Sequence, residues 1–248
     1  MRLIPPPRLI KLSRMYSTTF INWPSVMLRM YFGKSEIVCK LRNGQIRRMS
    51  PEEIQRIKGL KLINLEDDFV EFMYLKRLRF YGWKIGWFDC FWDYDYDFRG
   101  KTVLDVGASI GESAVLFSLK RAVRIIAVEP DENKVELMRL NLDLNGVTNV
   151  EIVDKGVSSS NGEASVTRSR LIHEYGPIDF LKVDCDGCEG EISEEIQGVP
   201  EVLVEWESNS MRKVLRDLRR NGYILSVIQN QWNRLGLVYG RLPKVSKC

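Results

Sequence analysis

Two segments of this chain combine glycines with carboxylates in a spacing that suits ligand binding by a loop. The first is KTVLDVGASIGES at 101–113, followed eighteen residues after Gly111 by Glu129. Backbone N–H groups in a glycine turn between a strand and a helix can contact a ligand. An acid at the end of the next strand can accept hydrogen bonds from ribose hydroxyls. Asp105 and Glu129 therefore predict a site that holds the two ends of an adenosine-containing ligand.

Three kinds of site share this outline, and the loop residues separate them. A dinucleotide fingerprint has glycines where this chain has Ser109 and Glu112, and the Glu112 carboxylate would repel a pyrophosphate. The nucleophile elbow G-x-S-x-G also fits, with Ser109 at its centre, but the single histidine, His173, comes too early for the hydrolase triad. The remaining ligand is S-adenosylmethionine (SAM), which has no phosphate and whose positive charges favour nearby carboxylates such as Asp105.

The second segment is DFLKVDCDGCEGE at 179–191. Its apolar start predicts a buried strand that delivers acids to a glycine-containing turn, where open α/β sheets bind ligands. These acids are Asp184, Asp186 and Glu189. The alternative is a solvated acidic helix start, because carboxylates stabilise a helix N-terminus.

Asp184 and Asp186 are candidates for proton transfer. We expect Asp184 or Asp186 to remove the proton of an acceptor hydroxyl, with Glu189 as the next candidate. Lys182 would orient the acceptor or balance charge. The acids could instead hold a divalent cation that acidifies the hydroxyl, and Asp184 could simply contact the methionine end of the cofactor. We assign no metal ligand.

The combined motifs resemble the FkbM-type SAM-dependent methyltransferases. That family typically shows a D-x-G-A-x-x-G loop, an E-P pair, an L-N pair and an L-K-I-D-V-E-G-A-E block. The counterparts here are DVGASIG at 105–111, EP at 129–130, LN at 144–145 and LKVDCDGCE at 181–189, within roughly residues 94–228. The resemblance implies a Rossmann-like class I methyltransferase fold. It also implies O-methylation of a hydroxyl on a small molecule, a sugar or a lipid-linked glycan.

Three residues depart from the family pattern. Asp186 stands where the family more often has glutamate, so its reach is one methylene shorter. Cys185 and Cys188 stand at positions that are apolar or small in the family. A Cys-x-x-Cys pair could indicate a redox or zinc site, but the second half of a zinc site is missing and the chain has one histidine. We assign neither function to the pair.

The predicted cofactor contacts come from the ends of successive strands. Asp154 follows the third strand and could hydrogen-bond the adenine amino group with Lys155 beside it, or it could be a turn aspartate. Aromatic residues in the corresponding family region cover the cofactor, which implies this role for Tyr96; the alternative is an edge strand at 89–98 with its rings in the core. The full set is Asp105, Gly107, Ala108, Ser109, Gly111, Glu129, Pro130, Asp154, Lys155 and Tyr96.

Hydrophobic periodicity predicts the elements that position these residues. Buried-type strands alternate with amphipathic helices from Thr102 onward, which predicts a doubly wound, mostly parallel sheet with helices on both faces. Residues 91–248 would form this methyltransferase domain. Residues 1–90 would form a small α+β extension that begins with a basic arm at 1–20, where the prolines favour polyproline conformation. Asn43-Gly44 predicts a hairpin turn, and Ser50 predicts a helix with a capping box.

Composition bounds the class of protein. The 248 residues suffice for one α/β domain plus an extension, and 44% apolar content argues against disorder. No apolar run reaches the eighteen residues of a membrane span, and prolines and basic residues interrupt the first 20 residues, so no signal peptide is expected. Five cysteines at irregular spacing suit a reducing compartment. The prediction is a cytoplasmic protein.

Charge is unevenly distributed. Met1–Ser50 contains ten Lys and Arg against Glu36 alone, and Met211–Cys248 contains nine against Asp217 alone. Basic ends suit an anionic partner, and we expect contact of the N-terminus with an anionic lipid surface. They could also pack on the acidic middle of the chain. An RNA methyltransferase that uses the basic ends as a phosphate track is the less favoured alternative, and a protein that binds the cofactor without transferring methyl is another.

Overall fold

The computed structural model describes residues 6–157, 165–185, 187–196, 198–207, 209–231 and 235–243. The chain divides into two compact units. The N-terminal unit consists of Met1–Tyr96 and Leu140–Gly146, and the C-terminal unit consists of Asp97–Arg139 and Val147–Cys248. The division therefore lies a few residues beyond the boundary at 90/91 that we placed from sequence. It also gives a short internal segment to the N-terminal unit.

The N-terminal unit is a small α+β structure. Its two antiparallel sheets are the hairpin β1–β2 and the three-stranded β3–β4–β5. In chain order the elements are α1 (Pro6–Thr19), α2 (Trp23–Tyr31), β1 (Ile37–Lys40), β2 (Ile46–Met49), α3 (Pro51–Ile57), β3 (Lys61–Leu65), β4 (Phe69–Met73), β5 (Arg77–Tyr81) and α4 (Cys90–Asp93). The predicted hairpin around Asn43-Gly44 is confirmed. So is the capping box, in which Ser50 and Glu53 exchange side-chain and backbone hydrogen bonds.

The predicted basic arm at 1–20 is wrong for the described part of that range. Residues Pro6–Thr19 form helix α1, because prolines are tolerated in the first turn of a helix, where the N–H groups have no intrahelical acceptor. Near its end Met15, Tyr16 and Thr19 are buried, so the helix has the core-facing side that the sequence analysis did not recognise.

Two further features of this unit differ from expectation. The sheet β3–β5 was not predicted, because its strands are only five residues long and β3 does not alternate buried with exposed residues. The predicted edge strand at 89–98 is instead the short helix α4. Its ring Phe91 packs edge-on against Phe72 at 5.2 Å and Phe80 at 6.4 Å in an aromatic core.

The exposed edge of β5 is covered by two asparagine side chains. The Asn141 amide accepts a hydrogen bond from Tyr81 N and donates one to Tyr81 O, at 2.8 and 3.1 Å. Asn145 makes the same pair with Arg79, at 3.0 and 2.7 Å. Each carboxamide thus occupies the place of a neighbouring strand residue, which satisfies backbone groups that a sheet edge otherwise leaves open. Asn145 belongs to the LN pair of the sequence motif.

The C-terminal unit alternates strands with helices. In chain order its elements are β6 (Thr102–Val106), α5 (Glu112–Leu119), β7 (Arg124–Val128), α6 (Glu132–Leu144, whose last turn belongs to the other unit), β8 (Val150–Val153), β9 (Gly156–Val157), β10 (Ser165–Val166), α7 (Arg168–Tyr175), β11 (Phe180–Val183), α8 (Glu189–Glu195), β12 (Glu201–Glu207), α9 (Met211–Arg220), β13 (Ile224–Gln231) and β14 (Leu235–Arg241). Asp131 caps α6, since its carboxylate accepts hydrogen bonds from the backbone N–H groups of Asn133 and Lys134.

The main sheet has seven strands in the order β13-β14-β12-β11-β6-β7-β8. The five strands from β12 to β8 are parallel, and β14 runs antiparallel between β12 and β13. The central strand β11 is buried along its whole length, which is typical of a parallel sheet covered on both faces. The predicted α/β class with a doubly wound, mostly parallel sheet is confirmed. Within the described ranges, no helix combines the length and hydrophobicity that a transmembrane span requires.

Candidate active site

The predicted site residues lie at the carboxyl edge of the parallel strands. The glycine loop at 107–111 follows β6, and the N–H groups of Gly107 and Ala108 both donate to Val128 O at the end of β7, at 2.9 and 3.1 Å. Asp184 follows β11, and its N–H donates to Val106 O at 3.0 Å. Hydrogen bonds between strand ends therefore fix these loops beside each other, as the topology of a parallel sheet requires.

The glycine loop needs its glycines for steric reasons. Gly107 has φ +76°, and a Cβ built there would lie 1.7 Å from the carbonyl oxygen of Asp184. Gly111 has φ +91°, and its Cβ would lie 2.9 Å from the Met138 side chain. Ser109 also adopts a positive φ, of 49°, which is uncommon for a residue other than glycine. The loop is thus packed tightly against the segment that carries Asp184.

Glu129 lies where a ribose-binding acid is expected. Its side chain is buried, and its two carboxylate oxygens accept hydrogen bonds from the backbone N–H groups of Ser109 and Asp131, at 3.0 and 3.1 Å. A carboxylate has about four acceptor positions, so each oxygen keeps one for a further donor. The arrangement fixes the carboxylate against the glycine loop and leaves it able to accept hydrogen bonds from a diol.

Asp105 and Lys182 form a buried ion pair beneath the loop. Lys182 Nζ lies 3.1 Å from Asp105 Oδ1 and 3.6 Å from Asp184 Oδ2, and it donates to the carbonyl oxygen of Gly107 at 2.5 Å. Ser113 Oγ donates to Asp105 Oδ2 at 2.6 Å. Ser113 was not among the predicted site residues, although its place in the first turn after the loop, eight residues beyond Asp105, is a usable signal. Asp105 is fully buried, so these internal partners compensate its charge.

The ion pair keeps Lys182 protonated. Burial alone lowers the pKa of an ammonium group, but the charges of Asp105 and Asp184 outweigh it and raise the pKa of Lys182 above its ordinary value. A side chain that is 2% exposed and strongly basic does not exchange protons readily near neutral pH. This geometry suits the charge-balancing role predicted for Lys182.

The acids of the second segment occupy different environments. Asp184 is the accessible one, with a side chain 35% exposed. Glu189 is buried, and its Oε1 accepts hydrogen bonds from Cys185 N and Gly187 N at 3.3 and 3.1 Å, so it holds the turn. Asp186 lies outside the described residues.

The other predicted cofactor residues are placed as follows. Pro130 follows Glu129 and is exposed, and Asp154, also exposed, follows β8 with Lys155 beside it. These positions lie at the same edge of the sheet as the glycine loop. Tyr96 is the last residue before the C-terminal unit, and burial raises the pKa of its hydroxyl to about 12, with smaller contributions from Asp93 and Asp95. Its proposed role over the cofactor stays a prediction.

One feature of the turn differs from the sequence analysis. Cys185 and Cys188, to which we assigned no function, are joined by a disulfide. The Cys-x-x-Cys spacing was the available signal, but spacing alone does not distinguish a disulfide from two reduced thiols. Among the described residues, no group of three or more His, Cys, Asp or Glu side chains is arranged to hold a metal ion.

Comparison with known sequences gives little information about function. No protein-family model matches the chain. A stretch of 106 residues is 29% identical to uncharacterized protein 158B of Sulfolobus islandicus rod-shaped virus 1. The match covers 40% of this chain and 60% of the relative, so it spans less than two thirds of that protein's length.

Comparison with solved structures identifies the fold. A protein described as a methyltransferase, SMU.776, solved in complex with SAH, aligns with a TM-score of 0.50 at 10% identity, over 72% of this chain and 57% of its own. Precorrin-6y C5,15-methyltransferase from Geobacter metallireducens aligns at 0.46 and 14% identity, over 58% and 81%. Trm5b from Pyrococcus abyssi aligns at 0.47 and 16% identity, over 72% and 56%. At these identities the likeness concerns the fold alone, and this chain has the Rossmann-like class I methyltransferase fold.

Proposed function

We propose that this protein is a SAM-dependent methyltransferase that methylates a hydroxyl oxygen on a small molecule, a sugar or a lipid-linked glycan. The observation that carries the proposal is the position of Glu129, whose carboxylate is held against the glycine loop by Ser109 N–H at 3.0 Å. The acceptor class rests on the resemblance of the motifs to the FkbM-type enzymes.

The chemistry of the donor set fits SAM better than a dinucleotide. A pyrophosphate needs free N–H groups and cations at the loop. Here the Ser109 N–H is bonded to a carboxylate, and the ammonium group of Lys182 is bonded to Gly107 O and paired with Asp105. Acids near the loop favour a ligand that carries positive charge.

The residues would hold the cofactor in two places. Glu129 would accept hydrogen bonds from the ribose hydroxyls, and the glycine loop at 107–111 would contact the cofactor with its backbone. When bound, SAM supplies a methyl group on a sulfonium sulfur that is itself the leaving group. The protein therefore has to align the acceptor oxygen with this methyl group and accept the proton that the hydroxyl loses.

Asp184 is the base that we propose among the described acids of the turn. Its carboxylate is accessible, whereas Glu189 is buried in the turn and Lys182 stays protonated. The Asp184 carboxylate would take up the proton that the acceptor hydroxyl loses and pass it to water. Lys182 Nζ, 3.6 Å from Asp184 Oδ2, balances the charge of that carboxylate between turnovers.

Calorimetric titration with SAM, SAH and NAD tests the proposal. Glu129→Ala should weaken binding of SAM by about 1–3 kcal/mol, the usual cost of a lost hydrogen bond to a charged group. Glu136→Ala is the matched control, because it removes an exposed acid from the next helix and should leave the affinity unchanged. Thermal unfolding of each variant checks that the loop change has not unfolded the protein.

Two results would count against the proposal. Folded wild-type protein that binds neither SAM nor SAH would exclude the cofactor, and tighter binding of NAD would indicate a dinucleotide enzyme. If SAM binds, methyl transfer from labelled SAM should be measured with hydroxylated glycans and lipids as acceptors and compared with transfer to RNA. Transfer to RNA with a steep salt dependence would support the alternative acceptor class, and binding without any transfer would indicate a non-catalytic protein.

A further inference from the structure

The disulfide between Cys185 and Cys188 spans the turn that carries the proposed base. It closes the segment between the end of β11 and the start of α8, with a Cα–Cα distance of 5.6 Å. Both cysteines are partly exposed, so a small reagent can reach the sulfur atoms. Asp184 directly precedes the cross-link, and Glu189 directly follows it. A change in the cross-link therefore acts on the site itself.

The turn also lies in direct contact with the glycine loop. A Cβ at Gly107 would lie 1.7 Å from the Asp184 carbonyl oxygen and 3.2 Å from the Cys185 Cα. These distances leave no room between the two backbones, so a shift of the turn must be accompanied by a shift of the loop. The cross-link is thus coupled to the segment that would hold the cofactor.

The disulfide and the hydrogen bonds to Glu189 hold the turn, and one oxygen of the Glu189 carboxylate lacks a described partner. Glu189 Oε1 accepts the N–H groups of Cys185 and Gly187. The other oxygen, Oε2, is buried and accepts no hydrogen bond from the part of the chain that the structure describes. Burying a carboxylate oxygen without a partner is costly, so this restraint is weak without the covalent one. Among the described residues, no atom lies within 4 Å of a Cβ added at Gly187, which has φ +133°, so the turn has room to move there.

The other described cysteines would not compete for a thiol reagent. Cys39 and Cys90 are buried in the N-terminal unit, and burial raises the pKa of Cys39 to about 12, which keeps it a thiol at neutral pH. Cys248 lies outside the described residues. Reduction and alkylation should therefore be selective for the pair in the turn once Cys248 is replaced.

We propose that Cys185 and Cys188 form a reversible redox site whose reduction loosens the glycine loop at 107–111 and weakens cofactor binding. A dithiol supplies two electrons and two protons: one of its sulfur atoms attacks the disulfide, its second sulfur closes a cyclic disulfide, and two cysteine thiols are released. The reverse exchange, in which a small-molecule disulfide takes up the two electrons and two protons and leaves as thiols, restores the cross-link. The consequence for cofactor affinity rests on the proposed function, whereas the thiol chemistry and the loop response do not.

The experiment measures thiol labelling and amide hydrogen exchange on full-length protein carrying Cys248→Ser. Iodoacetamide followed by peptide mass spectrometry should modify Cys185 and Cys188 only after treatment with dithiothreitol. Exchange of the peptide that contains residues 105–113 should become about fivefold faster or more on reduction, the size at which coupling between two sites typically begins. Labelling of both cysteines before reduction, or exchange that reduction leaves unchanged, would overturn the proposal.

A variant and a binding measurement separate this proposal from the previous one. Cys185→Ser combined with Cys188→Ser should show the fast exchange with or without dithiothreitol, and its thermal unfolding confirms that it is folded. SAH affinity is then compared in the two redox states. Faster loop exchange with no SAH binding in either state would contradict the methyltransferase proposal and keep the redox site. If SAH binds with equal affinity in both redox states and loop exchange is unchanged, the redox proposal is contradicted and the methyltransferase proposal is kept.

Discussion

Lys182 carries a positive charge where water does not reach it. Its Nζ compensates Asp105 at 3.1 Å and donates to the Gly107 carbonyl oxygen. Taking both ions out of water is expensive, so such a pair adds little net stability compared with two apolar residues. Removing one partner alone is different, because the other then remains buried as an uncompensated charge. The pair is better understood as a device that fixes the loop than as a source of stability.

We expect Lys182→Met to lower the free energy of unfolding by roughly 3–5 kcal/mol, the cost of breaking a buried ion pair. Urea denaturation measures the loss. Arg48→Met is the control, because it breaks an exposed pair with Glu36 and should cost at most about 1 kcal/mol. Adding Asp105→Leu to Lys182→Met should recover part of the loss. Equal effects of the two single variants would show that the Asp105–Lys182 pair is not buried as described.

The sequence located the acids of the site but not their partners. Asp105, Glu129 and Asp184 could be found because each ends or follows an apolar run, and parallel strands bring such ends to one edge. The partners of Asp105 are Ser113 and Lys182, which lie 8 and 77 residues later in the chain. No local sequence pattern predicts which donor pairs with which carboxylate oxygen. The same limit applies to Cys185, whose bond to Cys188 depends on the shape of the turn.

The glycine loop is the element whose geometry is most restricted. Gly107→Ala would place a methyl group 1.7 Å from the backbone oxygen of Asp184, and β6 and β11 are paired strands that cannot separate cheaply. We expect a loss of several kcal/mol in unfolding free energy, well above the roughly 1 kcal/mol for a residue forced to positive φ. Differential scanning calorimetry measures it.

Gly100→Ala is the matched control for the loop variant. Gly100 has φ +74°, close to the +76° of Gly107, but no atom from the described ranges lies within 4 Å of its added Cβ. The difference between the two variants therefore isolates the steric contact with Asp184. Similar unfolding temperatures for both would show that the loop and the turn are not in close contact.

Helix α1 gives the N-terminal unit a stability that depends on pH. Burial raises the pKa of Tyr16 from 10.0 to about 12 in the folded protein. The unfolded chain loses this proton first, so the contribution of Tyr16 is complete below pH 10 and is lost as pH rises towards 12. The expected loss is on the order of 2–3 kcal/mol, measured by urea denaturation at several pH values.

Tyr16→Phe removes the ionisable group and should flatten that part of the pH dependence. At neutral pH it should cost only about 1 kcal/mol, because it removes the hydrogen bond that Gln55 donates to the hydroxyl. A variant with the same alkaline loss as the wild type would show that Tyr16 is exposed in the folded protein.

The elements that sequence reasoning missed share a physical cause. Helix α1 starts among prolines and has its buried residues only near its end, and β3–β5 are short strands with mixed polarity. Their burial depends on the rest of the N-terminal unit, which a local pattern does not contain. The strands of the main sheet are near-continuous apolar runs. Such runs predict buried strands without information from the rest of the chain.

At the scale of the whole molecule, charge and exposed apolar surface coincide in the N-terminal unit. Leu28, Tyr31 and Phe32 are 57%, 68% and 66% exposed, and Tyr31 and Phe32 contact each other. Leu28 and Tyr31 share a face of α2. The basic residues Arg29, within the helix, and Lys34, just after it, are close to them in sequence. Aromatic and aliphatic side chains beside basic residues suit the interface of an anionic bilayer, which supports our proposal of a lipid-surface partner.

We expect the protein to float with vesicles that contain phosphatidylserine and not with vesicles of phosphatidylcholine alone. Phe32→Ser combined with Arg29→Glu should reduce the bound fraction strongly, because it removes one apolar and one electrostatic contribution. Ile224→Ser, which changes an exposed apolar residue of the C-terminal unit, should leave flotation unchanged. Equal flotation of the wild type, the double variant and Ile224→Ser would refute the proposed lipid contact. Salt-sensitive RNA binding that the double variant loses would indicate that this surface binds nucleic acid instead.

The two asparagines that cover β5 make the evolution of residues 141 and 145 depend on the N-terminal segment. Asn141 and Asn145 make four hydrogen bonds to the backbone of an edge strand that lies some 60 residues earlier in the sequence. A descendant that lost the N-terminal segment would expose the two carboxamides to water, and without the edge strand nothing would require asparagine at either position. In a genealogy of related proteins, these asparagines and the N-terminal segment should therefore be inherited, and lost, together.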